Sequence, residues 1–149
     1  MSLRARLVLD DCRGAVTDLH DGLQGGDWRR RWVTAVTLLR AVEHVLRKVD
    51  TRGDPKLRKA INDRWDQLLA SKPHPPIFWE FIVEERNLIL KEYEVRAGQG
   101  ATVNLGTGTV INHYLINDGP FKGREQREVL REAIAWWESY LAGVERDAA

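Results

Sequence analysis

Apolar residues recur at steps of three and four along five stretches of this chain, and glycine or proline stands at nearly every break between them. Each such stretch is an amphipathic helix with one face to hide, which restricts the chain to a helical bundle joined by short connections. Leu3, Leu7, Cys12, Ala15, Val16, Leu19 and Leu23 form the first stripe, with Ser2 as N-cap, and predict a helix over residues 2–23 ended by Gln24-Gly25-Gly26. The second helix, over 27–50, carries Trp28, Trp32, Ala35, Leu39, Val42, Leu46 and Val49. Val36, Leu38 and Val45 widen this stripe enough to meet more than one neighbour. Arg52-Gly53 turns the chain, and Asp54-Pro55 opens a third helix with an N-cap and a proline whose missing N–H does no harm there. Leu57, Ile61, Trp65, Leu68 and Leu69 form its stripe. Lys72-Pro73-His74-Pro75-Pro76 cannot continue a helix and reads as a stiff extended link into a fourth, expected over 76–95.

Between Gly98 and Gly119 the pattern turns β-branched. Thr102-Val103-Asn104-Leu105 and Thr109-Val110-Ile111-Asn112-His113-Tyr114-Leu115-Ile116 flank Gly106-Thr107-Gly108, the signature of a β-hairpin. Asn117-Asp118-Gly119-Pro120 closes it, and a fifth helix follows over 124–144, with Leu130, Ile134, Trp137, Leu141 and Val144 on one stripe. The expected fold is mainly α: an up-and-down bundle of about five helices in a single domain over 1–149, with a hairpin at about 100–118 inserted between helices four and five. A two-stranded hairpin is marginal alone, so it is expected to act as an arm or lid packed on the bundle or on a second copy.

With 149 residues, 43% hydrophobic and 30% charged, the chain suits one soluble globular domain, and a formal net charge of +1 gives no global argument for nucleic-acid binding. The single cysteine, Cys12, excludes an internal disulfide and reads as an inert core residue. The apolar run Leu7-Val8-Leu9 stops at Asp10-Asp11, too short for a signal-peptide core, and no stretch has the length of a membrane span. A cytoplasmic protein with no membrane partner is the expectation. No metal or cofactor is expected, because His20, His44, His74 and His113 are scattered and no paired-carboxylate pattern accompanies them.

The segment Phe78 to Glu94 holds the main candidate site. Trp79, Val83, Arg86, Leu90 and Tyr93 fall on one helical face, which places Arg86 among aromatics, and Asn87 and Lys91 are neighbours on the next face. An arginine in an apolar stripe must find a partner. It serves either as a snorkelling anchor paired with a carboxylate of helix two or helix five, or as a fork of donors that receives a phosphate beside Asn87 and Lys91.

The run Arg86-Asn87-Leu88-Ile89-Leu90-Lys91-Glu92-Tyr93, together with Leu38-Leu39-Arg40-Ala41-Val42-Glu43-His44-Val45-Leu46 in helix two, resembles the HEPN superfamily of small helical bundles. In that family a late helix carries an arginine, usually a polar residue after it, and a histidine four to six residues on. The resemblance implies a homodimer formed across the motif helices and, in active members, metal-independent RNA cleavage. This chain departs at the decisive position, where Lys91 stands one turn after Asn87. An unperturbed lysine is protonated at neutral pH, suited to holding phosphate and not to removing a proton. An active enzyme would need its base from His44 on helix two or His113 on the hairpin.

Between Trp28 and Val49, Arg29, Arg30, Arg31, Arg40, Arg47 and Lys48 face Glu43 alone, whereas from Glu80 to Glu94 five glutamates oppose Arg86 and Lys91. Complementary packing or symmetric dimer contacts account for this opposition more readily than RNA does. Arg40 and Arg47 are candidate ligand-binding residues, as are Lys122 and Arg124, which stand at the entry to helix five, where an anion is favoured. Gly98-Gln99-Gly100 and Gly106-Thr107-Gly108 lack the context of a phosphate loop and read as turns, and Trp136-Trp137 reads as core. Together these residues favour a non-catalytic HEPN-like module, dimeric, with affinity for RNA, a nucleotide or a protein partner. The alternatives are a metal-independent endoribonuclease and a purely structural oligomerisation protein.

Overall fold

A computed structural model describes residues 2–149. It contains five α-helices: α1 (Arg4–Thr17), α2 (Gly26–Lys48), α3 (Pro55–Ser71), α4 (Glu84–Glu92) and α5 (Gln126–Ala148). An antiparallel hairpin of β1 (Gly100–Val103) and β2 (Val110–His113) lies between the last two, so the expected fold class is the observed one. The helix α2 packs against α1, α3, α4 and α5, which is what its widened apolar stripe requires. Trp28, Trp32, Leu39 and Leu46 of α2 meet Leu9, Ile61, Phe78, Phe81, Leu130 and Trp137 in one buried core. On the outside, Arg6 joins α1 to α5 through Glu138 at 2.7 Å and Glu145, and Arg13 adds a second bond to Glu138 at 2.6 Å.

Helix boundaries differ from expectation where another part of the chain supplies the hydrogen bonds. Ser2 does not cap α1; Leu3 occupies that position, and the Asp50 carboxylate accepts from the backbone N–H of Arg4 at 2.8 Å and of Ala5 at 3.0 Å. The first helix also stops at Thr17 and not at 23, although Leu19 and Leu23 remain buried. The freed backbone is taken up from across the fold: Tyr114 donates its hydroxyl to Asp21 O, and the Gln99 side chain bonds Leu23 O and Gly25 N. At α3 the expected cap is present, with Asp54 accepting from Lys56 N at 2.9 Å ahead of Pro55. In α5, Glu125 caps by accepting from Arg127 N and Glu128 N, and the helix runs on to Ala148, past the expected end.

The expected fourth helix is a composite: a π-helical turn, Ile77–Val83, runs into α4, which ends at Glu92 with Tyr93 in a left-handed conformation (φ 49°). The hairpin is shorter than expected. Asn104 N donates to Thr109 O and the Asn104 side chain accepts from Gly106 N, so residues 104–109 form the turn. Tyr114 and Ile116 leave the ladder and are buried, anchoring the hairpin's root, while the strands and their turn stand in solvent, with Leu105 of the turn at 95% exposure.

The root is tied by Gln126, which is 0% exposed. Its Oε1 accepts from Trp28 Nε1 at 2.7 Å, and its Nε2 donates to Gly98 O at 2.7 Å and Leu115 O at 2.9 Å. Leaving buried polar groups unpaired costs about 1–3 kcal/mol each. Gln126→Leu should therefore lower stability by about 3 kcal/mol or more in urea unfolding, and a loss below about 1 kcal/mol would show that this bridge does not hold the hairpin in place.

Candidate functional site

Thr37, Arg40, Ala41 and His44 are three or four residues apart and so share one face of α2. That face meets Arg86 of α4, and together with Glu43 they line a cleft of about 190 Å³. The side chain of Glu43 is buried beneath it. One oxygen accepts from Arg40 Nη1 at 2.6 Å and the other from Arg47 Nη1 at 2.8 Å, so both are in use. Arg86, half-buried, forms no ion pair or side-chain hydrogen bond among the described residues. The anchoring carboxylate expected from helix two is thus present in the cleft and already held by two other arginines. Three arginines around one carboxylate leave a surplus of two positive charges, with His44 exposed at the rim.

The ion pairs expected between basic α2 and acidic α4 do not form among the described residues. Arg40 and Arg47 take Glu43, and Arg30 takes Asp27 on its own helix.

Arg86 does not lie in the buried stripe of its helix. Ile77, Phe78, Phe81, Ile82, Glu85 and Ile89 do, whereas Trp79 and Val83 are half-buried, Leu90 is 64% exposed and Tyr93 61% exposed. The buried positions from Phe78 to Ile89 stand at steps of three and four across the π turn, so the stripe keeps the ordinary helical phase and lies one position before the face of Trp79, Val83, Arg86 and Leu90. Lys91 is exposed and lies outside the cleft, and Asn87 is half-buried with no bonded partner for its amide.

The charged group inside the stripe is Glu85, 2% exposed. Its Oε1 lies 3.8 Å from Arg96 Nε and its Oε2 has no partner, so burial, opposed by Arg96 and reinforced by Glu84 and Glu94, pushes its carboxyl up to about 7. Arg96 in turn lies flat over Gly119 (φ +82°), where a Cβ would stand 1.9 Å from Arg96 Nη1, and its carbonyl accepts from Asn117 N. The pair therefore fastens the loop before α5 to α4. Glu85 escaped the sequence reading, although its spacing from Phe81, Ile82 and Ile89 marks the apolar phase.

The remaining candidates lie elsewhere. The Nε2 of His113 is 2.6 Å from Thr102 Oγ1 across the hairpin, and His113 shares a cleft of about 400 Å³ with Asn117, Lys122, Leu115 and Gly98, apart from Arg86. Arg124 is bonded to Glu132 at 2.7 Å and stands 5.6 Å above the Phe121 ring, so it is not an open anion receptor. Cys12 is buried, and desolvation pushes its thiol up to about 12, which keeps it in the unreactive protonated form. Among the described residues no group of three or more His, Cys, Asp or Glu side chains is placed to hold a metal ion, and no helix is long and apolar enough to cross a membrane. No protein-family model matches the chain, and neither a curated protein nor a solved structure is significantly similar to it.

Because ionised Glu85 is disfavoured in the folded chain, folding holds its proton between the unfolded value near 4.5 and about 7, and stability falls as pH rises through that window. The loss should be about 3 kcal/mol between pH 4.5 and 8, at about 1.4 kcal/mol per unit. Glu85→Gln should flatten that part of the stability profile in urea unfolding at a series of pH values. An unchanged slope would assign it to other groups.

Proposed function

We propose that this protein is a HEPN-like helical module that binds a phosphate-bearing ligand, RNA or a nucleotide, in the cleft between α2 and α4, as part of a homodimer and without cleaving it. The observation that carries this reading is the free Arg86 guanidinium beside Arg40, in a cleft whose one carboxylate, Glu43, is engaged by Arg40 and Arg47. A planar fork with no internal counter-ion, next to a second guanidinium held in place, suits bidentate recognition of a phosphate. Thr37 adds a hydroxyl at the same wall. The homodimer follows from the family resemblance, and the exposed Leu90 and Tyr93 at the end of α4 and Leu105 on the hairpin are apolar surface that a second copy would cover.

One observation favours metal-independent ribonuclease activity as the second reading. His44 lines the same cleft as Arg86, so an imidazole able to act as general base is near the cation although Lys91 is not. In that reading His44 takes the 2′-hydroxyl proton and Arg86 steadies the charge developing on the phosphorus oxygens.

Titration with adenosine 5′-monophosphate by calorimetry should show binding that weakens with salt and falls at least about tenfold in Arg86→Gln, the loss of one charge-assisted pair. Equal affinity in the variant would remove the cleft from consideration. RNA incubated with the protein in EDTA should stay intact; cleavage lost in His44→Ala would establish the second reading in place of the first. Light scattering should give twice 17.1 kDa, and a monomer at high concentration would exclude the dimer.

A further inference from the structure

Glu43, at the wall of the Arg86 cleft, also binds a residue outside it, Arg47. From that carboxylate a line of contacts runs along α2 toward α3 and the π turn, with two indoles set between two cations. Arg47, bonded to Glu43 at 2.8 Å, holds its guanidinium 4.2 Å above the Trp65 ring. The Trp65 and Trp79 centroids are 6.3 Å apart at 42°, and the Lys72 ammonium stands 4.8 Å over Trp79. Four elements contribute, α2, α3, the link after α3 and the π turn, and the two indoles stand at the margin of the core, each edge-on to buried Phe78, with centroids 6.1 Å and 4.8 Å from it.

Burial separates the two sets of tryptophans. Trp28, Trp32 and Trp137 are essentially buried, and Trp28 and Trp137 donate their N–H to Gln126 and Leu39 O. Trp65 and Trp79 keep part of their surface in solvent, and Trp65 meets the cleft's carboxylate through Arg47. Lys72 is exposed and has no carboxylate partner among the described residues, so only the indole holds its ammonium in place. That contact is easily exchanged: on its flexible stem the ammonium can leave the ring to an incoming base and take the adjoining phosphate.

We propose that Trp79 and Trp65, with Arg47 and Lys72, form a base-stacking subsite continuous with the Arg86 cleft, so that the ligand is single-stranded RNA lying along this line and not a free nucleotide or a duplex. This inference rests on the phosphate-binding reading of the Arg86 cleft. Cations combined with aromatic faces are how proteins hold single strands without reading their sequence, because every base has a π face and every step a phosphate. A duplex offers the phosphates without the faces, since its bases are stacked on one another.

Oligouridylates of one, three and six nucleotides, a six-base-pair RNA duplex and uridine 5′-monophosphate discriminate the possibilities by fluorescence anisotropy and by quenching of tryptophan emission. Affinity should rise at least tenfold from one to six nucleotides, with a steeper salt dependence, and should not rise for the duplex. Lys72→Gln should weaken the hexamer about threefold or more and leave monophosphate binding unchanged. Trp79→Leu should cost the hexamer roughly 5- to 150-fold, the range for one stacked base, and Trp79→Phe should restore most of it; melting curves identify any variant that has lost its fold. Monophosphate binding that depends on Arg86 but gains nothing with length, or a hexamer indifferent to Lys72 and Trp79, would overturn the subsite and leave the cleft standing. Hexamer binding that needs Trp79 but not Arg86 would do the reverse.

Discussion

The side-chain amide of Gln126 has no exposure to solvent and is committed at both ends to segments far apart in the chain: α2 through Trp28, the segment entering the hairpin through Gly98, and the segment leaving it through Leu115. A buried amide with every such bond made fixes geometry more sharply than apolar packing does, because a partner moved by an ångström leaves a donor or acceptor unsatisfied. Trp28 stacks on Tyr114 at 4.2 Å, Arg127 stands 4.9 Å over the same Tyr114 ring, and Tyr114 reaches Asp21 O. The loop after α1, the start of α2, the hairpin root and the start of α5 are therefore one assembly. Through α2 it sets where the Thr37 to His44 face meets Arg86.

Within the cleft, charge decides the arrangement. Glu43 lies under α2 with one oxygen for each of two arginines, at steps of three and four along its own helix, and these local pairs form whatever α4 does. Arg86 arrives to find the carboxylate saturated. A positive surplus in a cleft between two helices persists in a stable fold only where solvent or a ligand answers it, and Arg86 is exposed enough for either. The same reasoning separates Arg86 from Arg96, which is shielded from solvent and leans on the one buried carboxylate of α4, Glu85.

Periodicity in the sequence was enough to place the helices, because an apolar stripe has only one way to be buried, and the caps at Asp54 and the break at Lys72 to Pro76 are local chemistry. It was less able to place helix ends. The cap of α1 comes from Asp50, and the early end of α1 is held by Gln99, Tyr114 and Arg127, none of which is near in sequence. The candidate site was legible as a set of residue types: Arg86, Arg40, Arg47 and His44 can all be named from the chain alone. Their grouping was not. His113, Lys122 and Arg124 looked equally eligible, and only folding sends His113 and Lys122 to one cleft, Arg124 to Glu132, and His44 to Arg86.

The amino-acid sequence by itself determined a mainly helical bundle with an inserted hairpin, since hydrophobic spacing, proline and glycine act over a few residues and tolerate no other arrangement. Which face of the fourth helix is buried was settled only in three dimensions. The phase of Phe78, Ile82 and Ile89 takes Glu85 into the core and leaves Arg86, one position on, facing the cleft, although Trp79, Val83 and Leu90 offered an apolar stripe of their own. Whether an arginine is an anchor or a receptor depends on who else has claimed the nearest carboxylate, and that is a property of packing, not of spacing.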